Sequence, residues 1–98
     1  MSNRRSSQTP PTKLVLSQRP EEAKLQLLRE IPVGTDMSTA VEQLKAFGFR
    51  IDRESANECI ARRTQPSAPF VDISWIVTIL GEHGKLSDLE VKVGFTGP

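Results

Sequence analysis

The hydrophobic period of this chain changes once, at Gly48, and that change decides what it can fold into. From Met37 to Phe47 the apolar residues recur at helical spacing. Met37, Ala40, Val41, Leu44 and Phe47 share one face, with Glu42, Gln43 and Lys45 opposite. After Gly48 the period is two, and Phe49 and Ile51 alternate with Arg50 and Asp52. The stretch from Ile31 to Phe49 therefore reads as a proline–glycine turn, a capped amphipathic helix, a glycine stop and the start of a strand. Gly48 supplies the left-handed residue on which helices commonly end. Two caps are open for the start. Asp36 can accept from the amide of Thr39, or Thr39 can form a capping box with Glu42.

A first helix is predicted at about residues 20–30. Pro20 is preorganised for the first helical position, Glu21 and Glu22 suit the positive end of the helix dipole, and Pro32 stops the run. Its apolar face is Leu27, Leu28 and Ile31, with Ala23 and Leu25 at the edges; Lys24, Gln26, Arg29 and Glu30 face solvent. Before it, Leu14, Val15 and Leu16 form either a strand fragment or a segment tucked against the core.

Strands follow. The first covers residues 49–53, with a turn at 55–57; the second covers 58–63 and is placed at an edge. Residues 65–69 read as a loop, because Pro66 and Pro69 do not suit a central strand. The longest strand runs from Val71 to Leu80. Val71, Ile73, Trp75, Val77 and Ile79 point one way, and Asp72, Ser74, Ile76, Thr78 and Leu80 the other, so this strand reads as central. A hairpin loop at 81–85 leads to a last strand with Leu89, Val91, Val93 and Phe95 inward. The fold class expected is α+β in the order α-α-β-β-β-β: two N-terminal helices packed on one face of a four-stranded antiparallel meander. The other sheet face is left to solvent or to a partner.

Ninety-eight residues, 37% hydrophobic and 26% charged, suit one domain. The net charge of +1 hides an asymmetry, since Arg4, Arg5, Lys13 and Arg19 give residues 1–19 a charge of +4 and leave −3 for residues 20–98. Residues 1–13 are expected to be a disordered basic leader and 14–98 the domain. The leader's charges are spread too thinly for a compact patch, so nucleic acid is not the expected partner. No apolar run approaches membrane-spanning length, and residues 1–13 carry no apolar signal region. As the chain stands it reads as cytoplasmic, or as a cell-envelope protein if a signal segment has been removed. The lone Cys59 excludes an intrachain disulfide.

No catalytic set is visible, and the expectation is a non-enzymatic protein with no cofactor and no metal. His83 sits in a hairpin loop without an orienting partner, and one His and one Cys match no metal-site spacing. Arg62 and Arg63 are candidate anion-binding residues, helped by Arg50 and Arg53 if the first two strands pair; Asp52, Glu54 and Glu58 interleave with them and favour a salt-bridged hairpin surface. Trp75 belongs to the core if the helices cover its face and anchors an interface if it points away from them. Asp72, Ser74 and Thr78 share one face of the central strand. The candidate interaction residues are therefore Trp75, Asp72, Ser74, Thr78, Arg62 and Arg63.

The stretch with Val33-Gly34, Thr35, Ala40-Val41, Leu44 and Gly48, together with Gly84-Lys85-Leu86 and Leu89-Glu90-Val91, resembles outer-membrane assembly lipoproteins of the SmpA/OmlA type and the β-lactamase-inhibitor-protein fold. The resemblance implies two helices on an antiparallel sheet and a protein that binds another protein through a sheet face or loops, as an assembly factor or inhibitor. Ile31-Pro32-Val33-Gly34 with Ala40-Val41, Leu44 and Gly48-Phe49 is also similar to the opening of a PASTA domain, which implies binding of a small ligand or cell-wall fragment.

Overall fold

The computed structural model describes residues 14–96, and the expected disordered leader lies outside them. Helices α1 (Pro20–Glu30) and α2 (Met37–Ala46) precede strands β1 (Arg50–Glu54), β2 (Glu58–Ala68), β3 (Val71–Glu82) and β4 (Lys85–Thr96). The strands form one antiparallel sheet in chain order, β1-β2-β3-β4. Both helices pack on the same face, α1 along β4 and α2 on β1 and β4. The α+β fold is the one the change of period predicts.

The core lies between helices and sheet. Ala23, Leu27 and Ile31 from the first helical segment and Met37, Ala40, Val41 and Leu44 from α2 meet Cys59, Ala61, Ile73, Trp75, Val77, Ile79, Leu86 and Leu89 from the sheet. Full burial of each large aliphatic side chain stabilises by about 1.5–3 kcal/mol, so this seam supplies most of the driving force. Leu25 is 61% exposed and Phe95 is 61% exposed, so neither belongs to the apolar face assigned to it from periodicity. Leu25 lies on the side of α1 away from the sheet, and Phe95 lies near the end of β4, two residues beyond the half-buried Val93.

The turn between the helices is stitched to the β3–β4 hairpin. The Gly34 amide donates to the Leu86 carbonyl (2.8 Å), the Leu86 amide to Thr35 (2.7 Å) and the Met37 amide to Gly84 (2.9 Å). Asp36 occupies the N-cap position of α2, but no side-chain cap forms. Its carboxylate instead accepts from Lys85 Nζ at 2.7 Å, across an isolated backbone bridge between the same two residues. The expected Asp36 and Thr39 caps are thus replaced by a tertiary contact that anchors the helix start to β4. Gly81 makes this close approach possible: a Cβ there would stand 2.8 Å from Met37 Cγ and Sδ. At the other end, Gly48 takes φ +90° and the Phe49 amide returns to the Leu44 carbonyl, closing α2 as expected.

Residues 14–17 are tucked against the core rather than paired as a strand. Leu16 is buried, and three carbonyls of the segment receive side-chain donors: Leu14 from Arg63 Nη1 (2.7 Å), Val15 from Gln26 Nε2 (2.9 Å) and Ser17 from Trp75 Nε1 (2.8 Å).

β2 differs most from its expected form. It continues through Pro66, which pairs with Asp72, to a bulge before Ala68. It is also an inner strand over its first half, flanked by β1 and β3. The physical reason is the shortness of β1, whose pairing ends at Arg50 opposite Arg62. Beyond that point β2 has a neighbour on one side only, and a proline that lacks an amide donor is tolerated on an edge.

Candidate functional site

Trp75 and Arg63 are on the helix side of the sheet. Trp75 is 1% exposed, its ring covered and its indole donor satisfied, so it is a core residue and not an interface anchor. Arg63, its register partner on β2, lies over the ring with its guanidinium carbon 5.5 Å from the centroid. The same guanidinium donates to the Leu14 and Phe47 carbonyls (2.7 and 3.3 Å) and to Gln65 Oε1 (3.2 Å). Burial pulls its pKa below the ordinary arginine value, and it nonetheless stays protonated. Arg63 is a clamp with three of its five donors engaged.

The other four candidates, Asp72, Ser74, Thr78 and Arg62, do share a surface: the sheet face that carries no helix. Along β3 the buried side chains Ile73, Trp75, Val77 and Ile79 alternate with Ser74, Ile76, Thr78 and Leu80, which are all half-buried. Strand register then sorts the open face into rows, because directly paired residues project from the same face. The first row is Glu58, Leu80 and Asp88; the second Ile60, Thr78 and Glu90; the third Arg62, Ile76 and Lys92; the fourth Thr64, Ser74 and Gly94. β1 adds Arg53 beside Ile60 and Arg50 beside Arg62. The face is thus banded along the strand direction: acids, then an apolar and mixed row, then bases, then hydroxyls. Three half-buried aliphatic side chains, Leu80, Ile60 and Ile76, are spread one to each of the first three rows.

Several polar groups on this face are paired locally. Asp52, in the β1 bulge, lies 3.3 Å from Arg62 Nε and 4.0 Å from Arg50 Nε. Thr64 Oγ1 and Ser74 Oγ are 2.9 Å apart. Asp88 is reached around the edge of the sheet by Lys24 of α1, at 3.7 Å. All are exposed or half-exposed contacts of small individual worth. Gly48, Arg50, Arg62, Arg63 and Thr64 also line a shallow recess at the sheet edge where β1 ends. Asp52 lies against Arg62 Nε, and the carbonyls of Leu14 and Phe47 accept from Arg63 Nη1.

Alternation turns Asp88 and Lys92 outward on the last strand, but it does not bring them, Glu58 or Ile60 into one surface with the candidate residues. Alternation places each on a face of its own strand, but the rows depend on register. Register is set by a two-residue turn at His83-Gly84 and by a bulge between Leu80 and Gly81. Two exposed aromatics were also unforeseen: Phe70, 84% exposed at φ +65° in the β2–β3 turn, and Phe95.

Cys59 and His83 lie apart from the open face. Cys59 is fully buried, and burial, with the nearby Glu54 charge adding to it, pushes its thiol pKa up, away from the reactive thiolate. His83 is an exposed residue at the tip of the β3–β4 turn. Among the described residues no three His, Cys, Asp or Glu side chains group as a metal site, and no helix is long and apolar enough to cross a membrane. Neither a family model, a curated protein nor a solved structure matches the chain.

Proposed function

We propose that this chain is a non-enzymatic protein-binding module whose docking surface is the open face of the sheet. The observation that carries the reading is the trio of half-buried Ile60, Ile76 and Leu80, flanked by acidic and basic side chains on a face that no helix covers. A sheet that only needed to face water would alternate to polar residues there. An apolar centre with a charged rim is the common make-up of protein interfaces. The face is built from strands rather than loops, so a partner meets a preformed surface and little ordering opposes binding. The resemblance to envelope assembly and inhibitor proteins, drawn from Val33-Gly34 through Gly48, points to the same class of activity, and assembly factor or inhibitor is the role we assign within it.

The test is capture from extracts of the source cells on immobilised protein, comparing wild type with Ile76→Asp and with Arg29→Glu on the exposed side of α1. The reading expects a partner retained by wild type and by Arg29→Glu and lost by Ile76→Asp. Equal capture by all three overturns it.

A further inference from the structure

Resting on the reading of the open face as a protein-docking surface, we propose that its partner is a second copy of this chain. The two copies pack face to face about a twofold axis that lies across the strands, along the Ile60–Thr78–Glu90 row. Such an axis lays each strand antiparallel on its own copy and exchanges the rows on either side of the axis. The row of Glu58, Leu80 and Asp88 then meets the partner copy's row of Arg62, Ile76 and Lys92. Position by position, Glu58 faces Arg62, Leu80 faces Ile76 and Asp88 faces Lys92, and each match occurs twice because the interface is isologous. Acid meets base on both flanks and aliphatic meets aliphatic between them, while Ile60 and Thr78 meet their own copies at the centre.

The alternative in-plane axis, along the strands, lays each row on itself and sets acid on acid and base on base. Charge complementarity therefore selects one orientation. At the ends of the axial row Glu90 and Arg53 each come opposite their own copies, like-charge contacts that weaken the pairing. Four strands about 4.8 Å apart and some eight residues at about 3.4 Å each give a footprint on the order of 500 Å² per copy, below the roughly 800 Å² per partner of standard complexes. The dimer is accordingly weak, and ion pairs at its flanks make it sensitive to salt.

Sedimentation of the full chain over rising concentration tests this, with variants that reverse one band at a time. Wild type is expected to approach twice its 10.9 kDa mass at high concentration and low salt. The acid-band variant Glu58→Lys/Asp88→Lys and the base-band variant Arg62→Glu/Lys92→Glu should each stay monomeric at the same concentration. Mixing the two should restore the doubled mass, as should placing all four substitutions in one chain. This recovery also shows that the variants fold. A wild-type chain that stays monomeric throughout overturns the self-pairing, as do band variants that dimerise like wild type. If that monomer still captures a different protein in a manner lost with Ile76→Asp, only the identity of the partner is overturned and the docking face stands.

Discussion

Arg63 connects three parts of the chain that are distant in sequence. Its planar guanidinium covers Trp75, closes the end of α2 at the Phe47 carbonyl, and holds the Leu14 carbonyl of the entering segment. A lysine keeps the charge but presents a single ammonium that lacks the fork geometry. Arg63→Lys is expected to lower stability by about 1–2 kcal/mol, the worth of one or two hydrogen bonds to a charged donor. It should also speed hydrogen exchange at the Ser17 amide, which Gln26 Oε1 holds at 2.7 Å. Unchanged exchange and melting would show that the clamp carries no load. Nothing in the sequence around Arg63 distinguishes it from Arg62, and only the face on which each falls separates a packing residue from a surface one. The Asp36–Lys85 pair illustrates the same point at smaller energy. The hydrogen bond and the charge of Lys85 hold the Asp36 pKa below its ordinary value. A lowered carboxyl pKa stabilises at neutral pH, and the contribution is lost as acid protonates Asp36. Both side chains are exposed, so screening keeps it small.

At the scale of elements, the β3–β4 hairpin determines the rows of the open face. His83 and Gly84 form its two-residue turn with φ of +54° and +79°, the left-handed pair that matches the twist of the flanking strands. Gly84 adopts this freely, whereas His83 does so at some cost that asparagine largely avoids. His83→Asn is expected to raise Tm by about 2–4 °C, the equivalent of some 0.5 kcal/mol in a domain of this size. A fall in Tm would mean that the imidazole makes a contact that the turn geometry does not require. Helix bounds, the stop at Gly48 and the central strand were legible because each rests on local period and punctuation. The second half of β2 was not legible. Whether Pro66 can stand in a strand depends on how far β1 reaches alongside it, and the pairing of β1 with β2, which stops at Arg50 opposite Arg62, leaves no mark in the pattern. The hairpin turn is tighter than the 81–85 loop the glycines suggest for a related reason: Gly81 faces Met37 of α2 and serves packing, not the turn.

For the whole molecule, the sheet divides the chain into a helix-covered side and an open side. Trp75 follows the first: a tryptophan is a strong interface anchor when exposed, and here the helices and residues 14–17 cover it. Ile60, Ile76 and Leu80 follow the second, half-buried by their neighbours with no element above them. The candidate surface was only partly legible in sequence, because alternation along β3 separates Ile76 from Val77 but does not say which face the helices take.

Those two adjacent residues give the most direct measurement of the division, a comparison of thermal melts for Ile76→Asp and Val77→Asp. Ile76 lies between Arg62 and Lys92 on the open face, so an aspartate there remains hydrated beside opposite charges. A cooperative transition within about 10 °C of wild type is expected, the cost of one half-buried aliphatic side chain and a poorer strand former. Val77 is fully buried under the helices, and an unpaired carboxylate there should abolish the cooperative transition altogether. Equal losses at the two positions, or a milder loss at Val77, would contradict the assignment of faces on which the account rests.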